Sequence, residues 1–280
     1  MIKLIATDLD GTLFYPKKKI RLLTRHNKKF LTGYVKSGNK LCLVSGRNYP
    51  IANRIIHKIH ANIDMIACNG AVIYQNGVVT KETPLDINLV KKLYEDNLNN
   101  ELISSWIFMT NKHNMIIVPN GMGSIMKVGY RIGMIFQFRF HGAFLFGKRF
   151  WKKEMNDPNI KIYKAMAIYG LGNKAIEKAR VESIKYQEEF KDTFSVCWSR
   201  ESIEFMNKAV NKAIALKEVV SAYGYKDSEI AVVGDSGNDV PLFQSYENSF
   251  VMAQAHTDVK QYAHYEIEQV YNLENYIYNI

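Results

Sequence analysis

The sequence feature that most restricts the fold is a short apolar run that stops on paired acids. Leu4-Ile5-Ala6 leads directly into Asp8-Leu9-Asp10-Gly11-Thr12-Leu13. An apolar run bounded by glycine reads as a buried strand ending in a tight loop. In an open parallel α/β sheet, ligands bind beyond the carboxyl ends of the strands. On that reading Asp8 and Asp10 face a site and not the core. Two carboxylates so close repel each other unless a cation or a shared proton compensates. A divalent metal does this economically, and hard Mg²⁺ prefers carboxylate and carbonyl oxygens. The doublet alone fits an acidic turn capping the next helix equally well.

Two more apolar runs end the same way. The run at 40–44 passes into Ser45-Gly46-Arg47, and the run at 229–233 into Gly234-Asp235-Ser236-Gly237-Asn238-Asp239. Between the first and second runs, apolar positions at helical spacing predict a helix over 24–37, ended by Gly38. A helix over 51–59 follows, then a strand at 65–68 leading into Asn69-Gly70. A hairpin over 71–74 and 78–80 turns on Asn76-Gly77, a pair that favours tight primed turns. This β-α-β-α-β progression implies a parallel sheet.

From Pro84 the character changes. A helix is expected over 86–99 and strands over 103–109 and 115–118. No acid occurs between Glu101 and Glu154, whereas Lys112, Lys127, Arg131, Arg139, Lys148, Arg149, Lys152 and Lys153 all do. Phe136, Phe138 and Phe140 alternate with polar residues, the period of a half-buried strand. A strand over 164–169, a helix over 173–190 and a strand pair over 194–198 and 202–206 complete the segment. The division is therefore a core of 1–83 plus 202–280 and an inserted α+β domain of 84–201. The parallel pattern resumes with a helix over 210–222, closed by Gly224, strands over 250–253 and 265–267, and a last helix over 272–280.

Composition excludes several classes. With 47% hydrophobic residues the chain can bury a sizeable core, and global disorder is excluded. No apolar run reaches 18 residues, so no transmembrane helix is expected, and residues 2–6 are too short for a secretory h-region. Cys42, Cys68 and Cys197 are odd in number, lack CxxC spacing and lie in apolar runs. They read as reduced core residues of a cytoplasmic protein. The net charge of +10 suits anionic partners, or reflects a general richness in lysine.

The strand-end motifs, with Asn69-Gly70-Ala71 and Lys212, resemble those of the haloacid dehalogenase superfamily, specifically its Cof-type sugar-phosphate phosphatases. The resemblance extends over nearly the whole chain. It implies a Rossmann-like parallel-sheet core with an inserted α+β cap that closes over the site and supplies leaving-group specificity. It implies catalysis by Asp8, the nucleophile that takes the phosphoryl group, and by Asp10, the acid and then the base. Mg²⁺ would be held by Asp8, the backbone carbonyl of Asp10, and Asp235, with Asp239 orienting the metal shell from behind. Leu9, Ser45, Gly46, Lys212 and Asn238 would bind the phosphoryl oxygens, with Lys212 preferred over Lys208. The implied partner is a small phosphorylated metabolite, with no nucleic acid or membrane, acted on by a monomer or homodimer. A sugar phosphomutase and a non-catalytic phosphometabolite-binding regulator are the alternatives. The chain departs from the family pattern at Ala213, where glycine is usual, and at Ala253-Gln254-Ala255, where Gly-Asn-Ala is usual. Neither departure removes a catalytic group, and the second bears on substrate preference.

Overall fold

The computed structural model describes residues 1–16, 23–120 and 144–277. The elements run β1 (Leu4–Thr7), α1 (Arg25–Lys36), β2 (Lys40–Val44), α2 (Pro50–Ile59), β3 (Asp64–Ala67), β4 (Val72–Gln75) and β5 (Val78–Glu82). Next come α3 (Ile87–Asp96), β6 (Ser105–Thr110), β7 (Met115–Pro119), β8 (Phe144–Phe146), α4 (Lys148–Met155), β9 (Ile162–Ile168), α5 (Asn173–Glu189), β10 (Phe194–Ser199) and β11 (Ser202–Asn207). The chain closes with α6 (Lys212–Tyr223), β12 (Ile230–Gly234), α7 (Val240–Ser245), β13 (Asn248–Met252), α8 (Thr257–Lys260) and β14 (Tyr265–Ile267).

Two compact units result, Met1–Glu82 with Val210–Ile280, and Thr83–Ala209. The second boundary falls after Ala209 and not after Glu201. The reason is strand pairing: β11 bonds to both β10 and β9, so it cannot leave the inserted sheet. The last helix expected over 272–280 is instead a short tight-turned segment, Val270–Asn275, that buries Val270 and Leu273. The alternating phenylalanines 136–140 lie outside the described residues. No helix among the described residues is long and apolar enough to cross a membrane.

In the first unit the described residues form one sheet ordered β14-β13-β12-β1-β2-β3-β4-β5. Pairing is parallel from β14 to β3 and antiparallel through the β4–β5 hairpin. Asn76 and Gly77 both take positive φ, as a primed turn requires. The central parallel strands β1, β3, β12 and β13 are buried throughout, whereas the edge strand β14 exposes Tyr265 and Glu266. Leu216, Val219 and Val220 of α6 pack on Leu4, Ala6, Val44, Ile66 and Val232 of the sheet. The strand order matters for function. β12, β1, β2 and β3 are consecutive neighbours, and they carry the motifs at 235–239, 8–13, 45–47 and 69–71.

The inserted unit is built differently. Its sheet runs β10-β11-β9-β6-β7-β8 and is antiparallel except between β7 and β8. An aromatic cluster holds the helices to it: Phe108 stacks on Trp151 of α4 at 3.9 Å, and Tyr94 of α3 meets Trp106 edge-on at 6.2 Å. Lys164 and Glu204, from the adjacent strands β9 and β11, are both buried and form an ion pair at 3.1 Å.

Candidate active site

β1 ends by hydrogen-bonding Asp8 N to the Val233 carbonyl at 2.9 Å, which lays the loop Leu9–Leu13 beside the end of β12. Gly11 makes this approach possible. It sits at φ +83, and a Cβ there would lie 2.2 Å from Asp235 Oδ2. Thr12 Oγ1 then donates to Asp235 Oδ1 at 2.6 Å, tying the two loops side chain to side chain. Gly70 serves the same purpose on the other flank. At φ +114 it leaves space for the Asn211 carbonyl, which a Cβ would approach to 2.5 Å. Asn211 caps α6, its side chain accepting from Ile214 N at 2.8 Å, so the loop after β3 is pressed against the start of the helix that opens with Lys212.

Lys212 is 1% exposed. Its ammonium donates to Asp8 Oδ1 at 2.7 Å, Asp239 Oδ1 at 2.5 Å and Asn238 Oδ1 at 3.1 Å. These three acceptors match the three N–H donors of a lysine. Asp239 is fully buried, and its other oxygen accepts the backbone N–H groups of Asp235 at 3.0 Å and Ser236 at 3.1 Å. Both Asp239 oxygens are thus engaged in holding the loop and the lysine. Asn238 also accepts from Ser236 Oγ at 2.8 Å and donates to Asn69 Oδ1 at 3.4 Å. Ser45 is buried, and its Oγ accepts from Arg47 N at 3.2 Å. Lys208 lies elsewhere: it belongs to the inserted unit and forms an exposed pair with Asp192.

The electrostatics of this cluster are unbalanced. Asp8, Asp235 and Asp239 offer carboxylate oxygens that all lie within 4.8 Å of one another. Burial pushes the Asp8 carboxyl well above the usual range, Lys212 opposes the shift, and Asp239 and Asp235 add to it. Burial, with Asp239 beside it, brings Asp235 up to about 7 against the opposing pull of the Thr12 hydrogen bond and of Lys212. Burial works against the Lys212 ammonium, but Asp239 and Asp8 outweigh it, and its pKa rises overall. One ammonium therefore faces three carboxylates. A hard divalent cation bound through Asp8 and Asp235 fits this surplus of negative oxygen, whereas Asp239 is already committed to Lys212 and two amides.

Three contacts escaped the sequence reading. Arg47 forks onto Asp10, with Nε on Oδ2 and Nη2 on Oδ1. Gln254, in the loop after β13, donates its side-chain amide to the Gly11 carbonyl. Thr12 is bonded to Asp235, as described above. Thr12 and Arg47 stand inside motifs already singled out, and Gln254 was visible only as a departure from the family pattern.

An open parallel sheet whose neighbouring strand ends gather carboxylates around a buried lysine defines an α/β protein of the haloacid dehalogenase type. The chain matches the haloacid dehalogenase-like hydrolases over residues 5–274, and it belongs to that family. A phosphoglycolate phosphatase from Thermoplasma volcanium is 26% identical over 87% of this chain and 82% of its own length. A 5-amino-6-(5-phospho-D-ribitylamino)uracil phosphatase from Bacillus subtilis is 22% identical over 94% of this chain and 89% of its own. Among solved structures, a haloacid dehalogenase-like hydrolase from B. subtilis superposes with a TM-score of 0.79 at 20% identity, covering 99% of this chain and 100% of that one. A HAD/COF-like hydrolase from Plasmodium vivax does so with 0.78 at 17% identity, over 96% and 90%. These structural likenesses establish the fold. Family membership and the phosphatase relatives make the chain a phosphatase-type hydrolase of this superfamily.

Proposed function

We propose that the chain is a Mg²⁺-dependent phosphomonoester hydrolase for small phosphorylated metabolites, sugar phosphates foremost, working through an aspartyl-phosphate on Asp8. The observation that carries this reading is the ammonium of Lys212, 2.7 Å from Asp8 Oδ1, in a cluster with more carboxylate than cation. A buried carboxylate held by one oxygen has its other oxygen available to attack phosphorus. Mg²⁺, bound by Asp8, the Asp10 carbonyl and Asp235, would supply charge neutralisation between the attacking carboxylate and the phosphoryl oxygens.

The chain's own groups perform the rest. A carboxylate oxygen of Asp8 bonds to phosphorus while the ester P–O bond breaks, and Asp10 gives its proton to the departing oxygen. Water then gives a proton to Asp10 and attacks the phosphorus, releasing phosphate and restoring Asp8. The sum is one ester and one water converted to one alcohol and one phosphate. Lys212 stabilises the charge on the equatorial oxygens. Of its three acceptors Asn238 is neutral and the most distant, so an incoming phosphoryl oxygen takes that bond first. Ser45, with the backbone of Leu9 and Gly46, contributes further donors.

The test is phosphate release from p-nitrophenyl phosphate and a panel of sugar phosphates, with Mg²⁺ and with chelator. The reading expects turnover that chelator abolishes and Mg²⁺ restores. Equal rates in both conditions, or none with metal, would refute it.

A further inference from the structure

We infer that Arg47 is a positioning residue for Asp10, its guanidinium fixing the orientation of the carboxyl that exchanges protons with the leaving group and with water. The inference rests on the reading of Asp10 as the acid and base.

The geometry is specific. Arg47 leaves β2 in a turn held at both ends: its N–H donates to Ser45 Oγ at 3.2 Å, and its carbonyl accepts from Cys68 N at 3.0 Å. The arginine is therefore mounted on the loops after both β2 and β3. From that mounting its side chain reaches Asp10 with two N–H groups on two different carboxylate oxygens. Asp10 stands in extended backbone just before Gly11, and its side chain is 55% exposed, against 24% for Arg47.

Stability is a poor explanation for such a pair, because an ion pair this exposed contributes only about 0–1 kcal/mol. Orientation is a better one. A planar fork matches a carboxylate at both oxygens and fixes its plane, which a lysine cannot do. On a side chain as exposed as that of Asp10, the fork narrows the rotamers sampled toward those that aim an oxygen at the leaving group. The fork is also compatible with proton transfer. When one Asp10 oxygen carries the proton, the other still accepts from the guanidinium. The proton passes to the ester oxygen as its bond to phosphorus breaks, and water returns one in the hydrolytic half.

Direct contact of Arg47 with the phosphoryl group is the competing role, and the two differ in what they do to rate. A general acid matters more as the leaving oxygen becomes more basic. A phosphate contact matters equally for all esters. The experiment is therefore kcat/KM for a series of substituted phenyl phosphates, from p-nitrophenyl to phenyl, with the parent, Arg47→Ala, Arg47→Lys and Asp10→Asn. Arg47→Ala should steepen the fall of kcat/KM with leaving-group basicity, losing about tenfold more on phenyl than on p-nitrophenyl phosphate, in the same sense as Asp10→Asn. Misplacement of a catalytic group by an ångström costs up to about 10²-fold, which bounds the effect. Arg47→Lys, which keeps the charge and loses the fork, should steepen the dependence too, and it carries the test should Arg47→Ala not fold. Arginine variants that lose the same factor on every ester, while Asp10→Asn steepens, would overturn the inference and leave the acid role of Asp10 standing. An unchanged dependence in Asp10→Asn would remove that role, and the inference with it.

Discussion

The two units each bury a lysine against carboxylate, and the two lysines could hardly be used more differently. Lys164 of the inserted sheet meets Glu204 of the next strand at 3.1 Å, an ion pair between neighbouring strands of one sheet. Lys212 of the core meets Asp8 and Asp239, with Asp235 in the same carboxylate cluster. A buried pair joining two strands within a sheet is a structural element. A buried cation outnumbered by anions leaves charge to be balanced by something that binds. The position of each lysine agrees with this. Lys164 lies within a strand whose neighbours supply the partner, whereas Lys212 is the first residue of a helix that starts at the carboxyl edge of a parallel sheet.

The largest effect expected from breaking this contrast is at Lys212. Lys212→Ala should lower kcat on p-nitrophenyl phosphate by about 10²–10³, the scale for losing one donor to developing charge. Lys208→Ala, from the exposed pair with Asp192, should stay within a few-fold in the same steady-state assay. The opposite ranking in folded variants would mean that the cation of the site is wrongly assigned.

Lys164 should respond in stability instead. Lys164→Ala breaks a buried ion pair, which typically costs about 3–5 kcal/mol, read as a lower urea midpoint. Replacing both partners together, Lys164→Met with Glu204→Leu, should recover most of that loss. Turnover of p-nitrophenyl phosphate by the doubly substituted protein should remain within a few-fold of the parent. A hundredfold loss there would give Lys164 the kind of role assigned here to Lys212.

The smallest expected effect concerns the loop that carries the nucleophile. Gln254→Ala removes one hydrogen bond to the Gly11 carbonyl, a loss of about 1 kcal/mol in stability by thermal melting. The Gly11–Thr12 peptide keeps its tie through Thr12 and Asp235, so kcat should fall only a few-fold. Gln254→Asn, one methylene shorter, should restore less than the parent glutamine.

Much of this was legible in the sequence because strand-end motifs in a parallel sheet are local signals with a global consequence. Asp8, Ser45 and Asp235 could be expected at one edge from the parallel-sheet pattern, and the structure adds that β12, β1 and β2 are neighbours. The choice of Lys212 over Lys208 rested on helix start against crossover, and the two fall in different units. What stayed hidden was side-chain pairing across long separations. Nothing in the spacing of Arg47 and Asp10, or of Gln254 and Gly11, announces a hydrogen bond. The burial of Lys164 was hidden for the same reason, since its alternating strand fits a solvated lysine as well as a paired one. The end of the inserted unit is hidden in the same way, because nothing local to β11 shows that it pairs with the distant β9 as well as with β10.

The most direct test of the account is identification of the phosphorylated side chain. The protein is turned over with a phosphomonoester and Mg²⁺, acid-quenched and digested, and the peptides are read by mass spectrometry. A phosphoryl adduct on Asp8, absent in Asp8→Asn, is the predicted result. An adduct on any other side chain, or turnover by Asp8→Asn at the parental rate, would contradict it.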